Sequence, residues 1–157
     1  MNPRDLIRTA NELVAANRGK PRQSNLHRAT STAYYALFHA LATTCADLLV
    51  GTTGTKRSGP AWRQVYRALA HSDARNACRN VATMTKFPQA VQDFANMFVL
   101  MQAKRHEADY DPEARAVKSE VVSNIRLVEA VIADFEAADV RDRRAFAVWV
   151  LFRERRA

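Results

Sequence analysis

The hydrophobic positions of this chain recur at helical spacing almost throughout. Leu6, Ala10, Leu13 and Val14 form a first stripe, preceded by Asn2 as a cap and Pro3 in the first turn, and Arg18-Gly19-Lys20-Pro21 ends it. A longer helix is predicted from about Ser24 to Val50, where Leu26, Ala33, Leu37, Leu41, Thr44 and Leu48 follow one another at steps of three, four and seven. After the glycine-rich stretch Gly51–Gly59, read as an exposed loop, a short helix is expected from Pro60 to about Ala70. An ambiguous helical piece follows around Asp73 to Thr83, and Lys86-Phe87-Pro88 makes a break. The next helix runs from Pro88 to about Tyr110 on the seam Val91, Phe94, Phe98 and Met101, and the position continuing that seam is Arg105. The last main helix, about Pro112 to Ala138, carries Val117, Val121, Ile125, Val128, Ile132 and Phe135 on one face.

No period of two appears. The fold predicted is therefore all-α, an up-and-down bundle of four to five main helices spanning residues 1–138. Residues 139–157 read as a basic and apolar extension that packs on the bundle or on a partner. Its apolar octet Ala145–Phe152 fits a short helix or a strand equally.

Composition agrees with a helical domain. Of the 157 residues 48% are hydrophobic and 25% charged, with only four glycines and five prolines. Twenty-four Lys and Arg against 16 Asp and Glu leave a net charge of +8. That excess favours nucleic acid, an anionic nucleotide or an acidic protein as partner, beside the plainer reading of a basic solvated surface. Cys45 and Cys78 stand in apolar stretches without a second ligand at metal spacing, as small core residues in a reducing compartment do. No apolar run approaches the roughly 18 residues of a membrane span, and the N-terminus has no signal-peptide pattern. The expectation is a cytoplasmic protein with no membrane partner, no metal and no cofactor.

Candidate chemistry gathers where the fourth long helix ends. Lys104-Arg105-His106-Glu107-Ala108-Asp109-Tyr110 places five ionisable groups and a phenol in its last turns, before Asp111-Pro112 stops it. Arg105 and Asp109 are four apart, as are His106 and Tyr110, so each pair meets on the helix surface. An arginine continuing an apolar seam points to the bundle or to a packed partner. A guanidinium, an imidazole and a phenol together suit a phosphate: a bidentate fork, a proton carrier near neutral pH, and a hydrogen-bond donor or stacking ring. From the pattern alone the more ordinary reading is a helix ion pair, a surface histidine and a packing tyrosine. Elsewhere, His39, Tyr34 and Tyr35 read as core or interface residues, and His71 as a surface partner of Arg67 four residues before it. No Glu-x-x-His di-metal pattern, P-loop or nucleophile elbow occurs.

Tyr34-Tyr35-Ala36-Leu37-Phe38-His39-Ala40 followed by Arg105-x-x-Ala108-Asp109-Tyr110 resembles the HEPN domain family, in its small prokaryotic branch with the Arg-x-x-Ala-Asp-Tyr signature. The likeness covers about residues 5 to 138, apart from the stretch 51–87. It implies a helical bundle, usually dimeric, with the polar motifs of two subunits meeting. It also implies an RNA-acting, metal-independent endoribonuclease or toxin-like protein of a toxin–antitoxin or defence module, often paired with a small nucleotidyltransferase as antitoxin. On that likeness Arg105, His106, Asp109 and Tyr110 are the catalytic candidates. The ribonuclease form of the motif, Arg followed after four to six residues by His, is not reproduced: those positions hold Tyr110, Asp111 and Pro112. Arg22 and His27 have the spacing, at the start of the second helix. The sequence leaves open both a ribonuclease and a non-catalytic module binding a nucleotide or partner through the same Arg105–Tyr110 surface.

Overall fold

The computed structural model describes residues 1–54 and 57–155, so Thr55 and Lys56 of the Gly51–Gly59 loop and Arg156 and Ala157 of the tail lie outside the described residues. The described residues form eight helices and no strand, so the chain is an all-α bundle: α1 (Pro3–Ala15), α2 (Gln23–Leu49), α3 (Gly59–Ala68), α4 (His71–Arg79), α5 (Val81–Met84), α6 (Gln89–Tyr110), α7 (Lys118–Ala137) and α8 (Val140–Leu151). Among the described residues no helix is long and apolar enough to cross a membrane.

The 27-residue α2 is the axis of the domain, packed by α1, α3, α6, α7 and α8. Its buried set includes Ala29, Ala33, Ala36, Ala40, Ala42 and Ala46. These small side chains let neighbouring helices approach from several sides, while Leu26, Leu37 and Leu41 supply bulk. Helix α1 starts where expected: the Asn2 side chain accepts from the Arg4 N–H at 3.0 Å, and Ile7, Ala10 and Val14 are buried. Along α6 the seam Val91, Phe94, Phe98 and Met101 is buried throughout, and α7 buries Val121, Ile125, Val128, Ile132 and Phe135. Cys45 and Cys78 are buried and unpaired, and burial pushes both thiols up to about 12.

Two boundaries differ from the sequence pattern. Helix α7 begins at Lys118 rather than near Pro112, and Val117 is its exposed cap instead of a core residue. Asp111 turns the chain by accepting from the Glu113 N–H at 2.9 Å. The Gln23 side chain then holds Ala116 from both sides, donating to its carbonyl at 2.9 Å and accepting from its N–H at 2.8 Å. These bonds occupy backbone groups that a longer helix would need. The second difference is at the C-terminus. The apolar octet is helical within α8, capped by Asp139 accepting from the Arg141 N–H at 2.8 Å. Phe146 of this helix is fully buried, edge-on to Phe87, Phe94 and Phe135 with ring centroids 5.7, 6.3 and 5.7 Å away. Trp149 donates to the Ala77 carbonyl at 3.1 Å and so joins α8 to α4.

Candidate nucleic-acid interface

The last turns of α6 lie against the middle of α2, which brings the two sequence motifs into contact. After Met101 the α6 seam needs one more inward side chain, and Arg105 occupies that place. Its guanidinium lies over the rings of Tyr34 and Tyr35, 5.4 and 5.5 Å from their centroids. One turn on, Asp109 takes the Arg105 Nε at 3.2 Å through Oδ2 and the Ser31 hydroxyl at 2.5 Å through Oδ1. The arginine side chain is 16% exposed and the aspartate 34%, so the pair sits at the rim of the core. A tyrosine platform and a fixed carboxylate thus orient a permanently charged planar fork at the edge of solvent.

His106 and Tyr110 are turned to the other flank of α6, as the 100° step between successive helical residues requires. Their rings lie 4.8 Å apart and both residues are exposed. They line a cleft of about 660 Å³ together with Arg75, Gln102 and Pro112. The four sequence candidates thus group as Arg105–Asp109 against α2 and His106–Tyr110 along this cleft, with the Tyr110 phenol still close enough to Arg105 to help hold its guanidinium charged.

Two histidines that the pattern did not single out stand on the Arg105 side. His71 does not pair with Arg67 on the surface. Helix α3 ends at Ala68 and His71 opens α4, so their four-residue spacing is not one helical step. Instead the His71 ring stacks on Phe38 at 4.0 Å and its Nδ1 lies 2.6 Å from the Tyr34 hydroxyl. Gln102 of α6 donates to the His71 carbonyl at 3.2 Å. Burial lowers the basicity of this imidazole, and the positive charge of Arg105 lowers it further. Burial raises the Tyr34 phenol, which stays protonated and shares its hydrogen bond with the His71 Nδ1. His39, also lowered by burial, is hydrogen-bonded through Nδ1 to the Tyr66 hydroxyl of α3. The signal available in the sequence was the buried tyrosine itself, whose hydroxyl requires a partner.

Among the described residues no group of three or more His, Cys, Asp or Glu side chains is placed to hold a metal ion. Comparison of the chain with protein-family models, with curated proteins and with solved structures finds no match.

Proposed function

We propose that this protein is a HEPN-like, RNA-acting module whose Arg105 surface engages the phosphodiester backbone. The observation that carries this reading is the meeting of the two motifs: Arg105 over Tyr34 and Tyr35, and its partner Asp109 bonded to Ser31. The net charge of +8 supplies the attraction that draws a polyanion to such a surface. In the ribonuclease form of this function the RNA 2′-OH attacks the adjacent phosphorus and gives its proton to an imidazole. The 5′-oxygen leaves with a proton, and a 2′,3′-cyclic phosphate remains. Arg105 offsets the charge developing on the phosphoryl oxygens. His106 is the exposed imidazole of the same turn. His39 and His71 are already engaged by tyrosine hydroxyls. In this reading a second copy of the chain faces the motif across a homodimer, and a small nucleotidyltransferase is the natural class of antitoxin partner.

A non-catalytic docking module is the second reading, favoured by the internal neutralisation of Arg105 by Asp109. One assay separates the two: incubation of total RNA with wild type, Arg105→Ala and His106→Ala in the presence of EDTA. Products ending in 2′,3′-cyclic phosphate that vanish with Arg105→Ala support the ribonuclease. Equal, negligible cleavage by all three overturns it in favour of docking.

A further inference from the structure

A second basic surface lies beyond the Arg105 cluster, on the part of the chain that neither motif reaches. A cleft of about 510 Å³ is lined by Thr43 of α2 and by Trp62, Arg63, Tyr66 and Arg67 of α3. Residues 62 and 66 are four apart, and so are 63 and 67, so an aromatic pair and a cationic pair run side by side along one short helix. The Trp62 and Tyr66 rings stack with centroids 5.1 Å apart and planes inclined by 25°. The arginines are exposed, and neither is ion-paired among the described residues. Asp47 is already taken by the Trp62 indole N–H at 2.8 Å and by Arg57 at 3.9 Å. Arg57 also covers the Trp62 ring at 4.8 Å. No carboxylate lines the cleft among the described residues.

This surface is continuous with the first. The Tyr66 ring lies 5.8 Å from that of His39, His39 lies 6.2 Å from Tyr35, and the Arg105 guanidinium lies 5.5 Å beyond Tyr35. Partly exposed rings thus connect one cationic cluster to the other. The path spans at most about five stacked nucleotides at ~3.4 Å apiece.

From this we infer that the Trp62–Arg67 face of α3 is a single-stranded RNA subsite, in which Arg63 and Arg67 hold phosphates and the half-buried edges of the aromatic pair border the strand. The inference rests on the RNA-directed reading of the Arg105 surface and extends it by naming the path of the strand. Exposed arginines bordered by aromatic rings are a usual construction of single-strand grooves, and they require no helix insertion into a duplex.

The test is titration with a single-stranded RNA of about ten nucleotides, within the usual range of single-strand site sizes. Trp62 serves as reporter in a Trp149→Phe background, since the chain has two tryptophans. Binding should quench Trp62, and an otherwise identical Trp62→Phe protein should show no such quench. Arg63→Ala/Arg67→Ala should weaken binding about tenfold or more. It should also make the dependence of log K on log salt shallower by about 1.4, the value for two phosphates of a single strand. Both arginines are exposed, so the fold is not at stake. Binding unchanged in the double variant, or no binding by the parent protein, overturns the subsite. Binding that depends on Arg63 and Arg67 but is indifferent to Arg105→Ala keeps the subsite and removes the role given to Arg105. The reverse dependence leaves the Arg105 reading standing and removes the subsite.

Discussion

The Ser31 hydroxyl donates to Asp109 across 2.5 Å, and the other oxygen of that carboxylate holds the Nε of Arg105 at 3.2 Å. A single side chain of α6 therefore ties the end of its own helix to α2 and sets the direction of the arginine. Because the carboxylate is about one-third exposed, the bond adds little to global stability; its effect is positional. Ser31→Ala is expected to cost about 0.5–1.5 kcal/mol, seen as a fall in Tm of a few degrees for a domain of this size. In a double-mutant cycle with Asp109→Ala, the coupling should be of the same order. Additive effects would show that the hydroxyl and the carboxylate are not partners in solution.

The tyrosine–histidine pairs make stability depend on pH. His71 and His39 both bind protons less readily in the folded chain than their ordinary value near 6.5, chiefly through burial. Between the lowered folded value and 6.5 the unfolded chain holds more protons, so stability rises with pH in that window. Their contribution is complete above about 6.5 and is lost as the pH falls through the lowered values. Urea midpoints should fall from pH 7.5 to 5, with each histidine adding at most about 1.4 kcal/mol per pH unit. His39→Gln/His71→Gln should flatten that slope whatever it does to the midpoint at pH 7.5. An unchanged slope would mean that other groups carry the dependence.

Helical class, the seams of α2, α6 and α7, and the place of Arg105 as the continuation of the α6 seam were legible because each follows from a period of about 3.6 residues; that it turns to α2 rather than to a partner was not. The details that escaped are set by contacts between distant residues. The Asp111 turn is local, but the clamp that holds Ala116 out of α7 comes from Gln23, far away in sequence. The octet Ala145–Phe152 has no clean stripe, and its helix is stabilised by the pocket that Phe87, Phe94 and Phe135 make for Phe146. His71 was misread because a four-residue spacing was taken as one helix step across a break at Leu69 and Ala70 that neither proline nor glycine marks. Of the four site candidates, the helical period foretold both i,i+4 pairs, while the contacts of Arg105 and Asp109 with α2 required the tertiary structure.

Phe146 allows a direct test of how strongly α8 is bound into the core. It is fully buried, and Phe94 and Phe135, stacked at 4.4 Å on each other, form the wall it closes. Phe146→Ala should cost about 3–5 kcal/mol, the usual range for a buried aromatic that leaves a cavity. Chemical denaturation should show one cooperative transition at a lower midpoint. A loss below about 1 kcal/mol would mean that α8 contributes little to the core and that Phe94 and Phe135 are closed without it.

Arg105 can be separated into its charge and its shape. Lysine keeps the charge but lacks the flat fork that spreads over two tyrosine rings while its Nε binds Asp109. If only positive potential matters, Arg105→Lys will bind RNA like wild type and only Arg105→Ala will fail. If orientation matters, as the two ring contacts and the carboxylate argue, Arg105→Lys should lose tenfold or more in RNA affinity or cleavage. Its Tm should shift by only a few degrees, because a partly exposed ion pair and two cation–π contacts at the rim are each worth about 1 kcal/mol or less. A large loss of Tm with RNA binding retained would make Arg105 a structural strut and transfer the functional argument to the cationic face of α3.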